Sequence, residues 1–111
     1  MSLLAFFLVK GIPTVSAESD DITTLIQTAN TPEDHMKIAE YYNKQAENMD
    51  QMVKMHESMG EAYSKRSKPM KGMTNHCAKL STDSKKSAEQ YREMAQEHEQ
   101  MAHQMMDPDS H

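Results

Sequence analysis

The stretch TPEDHMKIAEYYNKQAENMDQMVKMHESMGEAYSKR, residues 31–66, decides the fold. Thr31 offers a hydroxyl N-cap, and Pro32 stands at the first helical position, where no amide hydrogen bond is lost. Glu33 and Asp34 face the positive end of the helix dipole. Behind this start no Gly or Pro occurs until Gly60, and the next Pro is Pro69. The spacing predicts a helix over about 32–66. Arg66 to Gly72 carries the breakers and cations of a helix C-terminus, which places a loop at about 67–73. Thr74 or a neighbour then opens a second helix to about 106, where Asp107-Pro108-Asp109 stops it and leaves a tail, 107–111. Each helix is roughly 50 Å long at about 1.5 Å per residue. Equal lengths and a short loop predict an antiparallel hairpin.

The apolar pattern fixes the faces. In helix one a seven-residue series runs through His35, Tyr42, Met49, His56 and Tyr63, flanked by the small residues Ala39, Ala46, Val53 and Gly60. Helix two repeats this with Cys77, Ser84, Tyr91, His98 and Met105, flanked by Ser81, Ala88, Ala95 and Ala102. A sustained seven-residue repeat is a coiled-coil seam, and a ladder of small residues lets two backbones approach closely. The helices also match at an offset of 42 residues, with Met52, His56 and Met59 answering Met94, His98 and Met101, as an internal duplication would leave them. Matching the two main series predicts layers of His35 with Met105, Tyr42 with His98, Met49 with Tyr91, His56 with Ser84, and Tyr63 with Cys77.

Upstream, residues 18–30 form an acidic segment. Ser19 is placed to cap a short helix whose Ile22, Leu25, Ile26 and Ala29 share one face. Residues 1–17 differ from the rest: an apolar run from Leu3 to Val9, a break at Pro13, and Val15-Ser16-Ala17 before the acids. Small residues at those positions suit a signal peptidase cutting after Ala17. Seven apolar residues are too few to span a bilayer, so no stable membrane insertion is expected once the signal is removed. The run lacks a basic opening and is interrupted by Lys10, which fits a start codon upstream of Met1.

Composition narrows the function. Lys10 is the only charged side chain in 1–17, so its removal takes the formal charge from −5 to −6, which argues against a nucleic-acid partner. Beyond the signal the branched aliphatics are few: Ile22, Leu25, Ile26, Ile38, Val53 and Leu80. The apolar material is mostly Met, Ala and Tyr, and such a chain gains from a metal or a dimer partner. Pairing of two hairpins into a four-helix bundle is the expected assembly.

Met and His supply the candidate chemistry. Met52, His56 and Met59 share a helix face, because steps of four and three residues return to nearly the same angle, and Met94, His98 and Met101 repeat the arrangement. Two thioethers around an imidazole suit Cu(I), and thioethers need no deprotonation and resist oxidation better than thiolates. The plainer reading is that Met fills the core and His is a satisfied core residue. A second set is Met70, Met73, His76 and Cys77, where a thiolate joins an imidazole and two thioethers. His76 and Cys77 diverge by about 100° on a helix, so both reach one ion only if the helix starts late or a second chain contributes. A buried Cys beside a surface His is the alternative. His35 and Met105 make a third candidate site at the open end. His103 and His111 are expected in solvent, as are Lys85, Lys86, Glu89, Arg92 and Glu93.

Enzymatic readings fail on spacing. His56-Glu57 and His98-Glu99 each begin a zinc-protease pattern, but Gly60 and Ala102 stand where the second His is required. No His has Glu three positions before it, so the di-iron signature is missing. Neither a haem-attachment motif nor a glycine-rich phosphate loop occurs. No catalysis is expected.

Thr31-Pro32-Glu33-Asp34-His35 with Ala39, Tyr41 and Tyr42, followed by His56, His76-Cys77 and His98, resembles a group of small exported helical proteins of Gram-negative bacteria over about residues 31–103. That resemblance implies export and a helical hairpin, and no particular activity. In Met and His richness the chain is also similar to periplasmic copper-binding helical proteins. Copper-storage four-helix bundles are a looser likeness, since they line their cores with many Cys and here Cys77 stands alone. The expectation is a periplasmic all-α hairpin with a short N-terminal helix that binds Cu(I). Non-covalent haem b on Met and His is the first rival. A metal-free interaction or chaperone module with a Met-rich surface is the second.

Overall fold

A computed structural model describes residues 15–107, of which 21–107 include the side chains. The described residues form three helices and no strand: α1 (Val15–Thr28), α2 (Pro32–Ser64) and α3 (Lys71–Met106). α2 and α3 pack against each other along their lengths, as the breaker pattern predicts. The apolar run of the expected signal lies outside the described residues. The expected cut after Ala17 falls inside α1, and Ser19 lies within that helix and does not cap it.

The start of α2 is built as its residues dictate. Thr31 is the N-cap, and its hydroxyl accepts from the Asp34 amide at 3.1 Å. Asp34 reciprocates by accepting from the Asn30 amide at 3.3 Å, and that backbone donor holds its carboxyl below the usual carboxylate range. Two orphan amides are thereby satisfied and the entry angle of the chain is fixed.

α3 begins at Lys71, earlier than expected, and takes Gly72 and Met73 into its first turn. Thr74 is not its cap. The Met70 amide donates to the Tyr63 carbonyl at 3.2 Å, which closes the turn, and the Thr74 hydroxyl donates to the Met70 carbonyl at 3.2 Å. The connection is therefore residues 65–70, with Pro69 just ahead of the helix.

The small-residue ladders form the buried seam: Ala39, Ala46, Val53 and Gly60 on α2, and Ser81, Ala88, Ala95 and Ala102 on α3. Their axial register differs from expectation. Tyr42 does meet His98, with ring centroids 5.9 Å apart, but it also stacks on Tyr91 at 6.1 Å. His35 meets His98, and a Cβ at Gly60 would lie 3.4 Å from the Cys77 Cβ, so Cys77 is level with Gly60 and not Tyr63. The register is tighter by three residues. Each large residue of one helix sits opposite a small residue of the other and between two large ones. The reason is steric: large opposite large would hold the backbones apart and leave voids, whereas Tyr42 over Ala95 closes them. Ala95→Leu is expected to cost about 1–3 kcal/mol by overpacking this seam. A thermal midpoint equal to that of the parent would contradict the packing.

At one end α1 covers the hairpin. Ile22, Leu25 and Ala29 pack on a cluster of Ile38, Ala39, Tyr42 and Ala95, with Tyr41 and Tyr91 at its margin. Ile26 is not part of this face; it is 45% exposed.

The two edges of the hairpin differ in chemistry. Along one edge Asn43 donates to Glu99 at 3.3 Å, Asp50 pairs with Arg92, and Glu57 pairs with Lys85 at 3.4 Å. These partners recur every seven residues on both helices. Lys85 and Arg92 thus pair across to α2 while staying in solvent, as expected, and such exposed pairs add little to stability. The opposite flanking positions, also seven apart, are Ile38, Gln45, Met52 and Met59 on α2 and Met73, Leu80, Ser87, Met94 and Met101 on α3. One edge is polar and the other is rich in methionine.

Candidate metal centre

His35 stands in the first turn of α2, where the Thr31 cap sets its position, and His98 lies one turn beyond Ala95 on α3. Their Nδ1 atoms are 3.0 Å apart, with ring centroids at 5.3 Å and planes 26° from parallel. Both residues are half-buried, and the Tyr42 ring lies against His98. At this distance one nitrogen donates and the other accepts, so at least one ring is neutral. Two nitrogens about 2.0–2.1 Å from one ion would lie roughly 2.9–3.4 Å apart at bond angles of roughly 90–110°. The pair is therefore spaced for a hydrogen bond or, with slight opening, for two ligands of one metal.

His98 is held below the ordinary imidazole value of 6.5, first by burial and then by the nearby charge of His35, with Glu97 opposing. The unfolded chain takes up this proton at higher pH than the folded chain does. The stability tied to His98 is thus complete above the unfolded value and falls as pH drops below it, until the folded group also protonates. Between about pH 7 and pH 5 the urea midpoint of the metal-free protein should fall more steeply than that of His98→Gln. Parallel curves would contradict this placement of His98.

Met94 and Met101 lie one turn on either side of His98, on the methionine edge, each 40% exposed. Met105 is two turns beyond His98 and 46% exposed, and the His35 imidazole, expected to partner it, is hydrogen-bonded to His98. In the other triad Met52 and His56 are half-buried and Met59 is 40% exposed. The His56 Nδ1 is buried and has no hydrogen-bond partner. His56 also lines a groove of about 430 Å³ between the helices, together with Glu57, Gly60, Glu61, Ser81 and Lys85, on the side of the polar edge.

The loop set divides. Cys77 is a free thiol, 4% exposed, whereas Met70, Met73 and His76 are exposed. Because α3 starts early, the condition under which His76 and Cys77 share an ion within one chain is not met. His103 is exposed, as expected, and His111 lies outside the described residues.

Among the described residues no three His, Cys, Asp or Glu side chains converge on a common point, which leaves thioethers as the groups that could complete a metal site. No described helix is long and apolar enough to cross a membrane. Comparison with protein-family models, with curated proteins and with solved structures found no match. The site's chemistry therefore carries the functional reading alone.

The His35–His98 pair was not foreseen. Heptad periodicity defines which faces meet, but the axial offset between helices decides which residues of those faces touch. The flanking pairs Asn43–Glu99, Asp50–Arg92 and Glu57–Lys85 each lie one residue beyond the expected layers Tyr42–His98, Met49–Tyr91 and His56–Ser84, so they carried no signal for the shift.

Proposed function

We propose that this chain is an exported, periplasmic protein that binds Cu(I) through Met and His, for copper tolerance, buffering or delivery, and catalyses no reaction. The observation that supports it most is the pair of imidazole nitrogens 3.0 Å apart on separate helices, with two thioethers one turn away on the same edge. Imidazole and thioether donors together suit a soft, low-coordinate ion, and neither has to lose a proton when its neutral form binds. An ion held by α2 and α3 would also tie together a hairpin that buries mainly Ala, Gly and Ser.

The methionine edge supports self-association. Met59, Met73, Leu80, Met94 and Met101 are between 38% and 46% exposed in the isolated chain, and two such edges packed together make a four-helix bundle. Sedimentation equilibrium should find a dimer, and a monomer at every concentration would reject this assembly.

Anaerobic titration of the full chain with Cu(I) against a chromophoric chelator tests the copper reading. Competition for Cu(I) is expected, and no competition at any ratio would reject it. The exposed methionine edge also favours a second reading, a metal-free interaction module. Replacing Met52, Met59, Met94 and Met101 by Leu separates the two, because it should abolish tight Cu(I) binding at His35 and His98 and leave an interaction function largely intact. Haem b fits less well, since imidazoles already in contact leave no space for a porphyrin between them.

A further inference from the structure

The seam contacts follow a rule that brings together two ligand sets which stand apart in the sequence. His35 touches His98 and Tyr42 stacks on Tyr91, and the turn ahead of α3 continues the series where the Met70 amide donates to the Tyr63 carbonyl. From each contact to the next, α2 advances by a multiple of seven residues and α3 retreats by the same amount. The two intervening steps are Met49 with Ser84 and His56 with Cys77. Gly60 fixes the level of the second, because its absent side chain lets the Cys77 Cβ approach to 3.4 Å of where a Cβ would stand. His56 is one turn before Gly60 on the same seam.

We infer that His56 and Cys77, joined by Met59 and Met73 from the methionine edge, form a second Cu(I) site that bridges α2 and α3 near the loop. Met59 lies three residues after His56 and Met73 four residues before Cys77, so each thioether stands beside its neighbour on the edge the two helices share. The site pairs a thiolate with an imidazole and two thioethers, a soft donor set suited to Cu(I). Two features of the metal-free protein fit it. The Cys77 thiol is buried and unpaired, and the His56 Nδ1 is buried without a hydrogen-bond partner, which is costly for a polar atom unless a ligand satisfies it. On binding, Cu(I) replaces the thiol proton, which passes to solvent; no electron is transferred.

This site rests on the copper reading, and its test keeps the two apart. The full chain is loaded anaerobically with Cu(I), and the near-ultraviolet thiolate-to-copper absorption is recorded alongside chelator competition. The wild-type protein should develop that absorption. Cys77→Ser should lose it together with one equivalent of bound Cu(I), while keeping the site at His35 and His98. His56→Gln should keep the thiolate and weaken loading of this site by about tenfold or more. Competition for Cu(I) without the absorption in wild-type protein would overturn the His56–Cys77 site and leave the copper reading standing. No competition at all would overturn both. Unchanged affinity in His56→Gln would remove His56 from the ligand set, and with it the bridge between the helices.

Discussion

The double substitution His35→Ala and His98→Ala is expected to weaken Cu(I) binding at the open end of the hairpin by at least about a hundredfold, to the point of losing one bound equivalent. Removing a group that only supports a ligand costs roughly 10–100-fold in metal affinity, so removing two ligands costs no less. The two substitutions should not be additive, because either imidazole alone leaves an incomplete donor set. Each single variant should therefore lose most of what the double variant loses. Folding should survive, since both residues are half-buried at the end of the seam and both flank small residues that keep their contacts. Chelator competition on the three variants, with circular dichroism to check helix content, measures this directly. Undiminished affinity in the double variant would remove the pair from the site.

The largest effect on stability is expected at Ile38. It is 0% exposed and, among the described residues, the largest side chain so completely buried, lying under Ile22, Leu25 and Ala29 of α1 and against Tyr42 and Ala95. Truncation to Ala should cost about 2–5 kcal/mol, from lost burial and from the cavity left behind. A domain of ordinary stability has only about 5–15 kcal/mol in total, and this one has few other branched aliphatics to compensate. The urea midpoint of Ile38→Ala should fall sharply with little change in slope. Ile26→Ala is the control. Ile26 is 45% exposed and off the face of α1 that packs on the hairpin, so its loss should cost about 1 kcal/mol or less. A similar shift for both variants would mean that the core does not lie where α1 meets the hairpin.

Much of this was legible in the residues. Thr31-Pro32-Glu33-Asp34 announced α2 because capping and dipole effects act within one turn. The ladders of Ala, Gly and Ser announced the seam because small residues at heptad spacing permit close backbones. What the pattern left open was the axial offset, which depends on how whole side chains interleave. Tyr42 fits between Tyr91 and His98 over Ala95, and that fit shifts the register by three residues. The shift has direct consequences for the sites. It brings His98 against His35, and it sets Cys77 level with Gly60, one turn from His56. The start of α3 was misplaced for a local reason, since Met70 caps that helix without a side-chain hydrogen bond.

The same seam serves packing and candidate ligands, and this links stability to metal. Cu(I) held between α2 and α3 would bind the folded hairpin and not the separated helices, so loading should raise the unfolding midpoint with copper concentration. Copper K-edge X-ray absorption of the full chain, loaded anaerobically and desalted, tests the central proposal most directly. The expected spectrum is that of Cu(I) retained in a mixed shell of imidazole nitrogen and sulfur. Copper lost on desalting, or retained in a shell of oxygen alone, would contradict it.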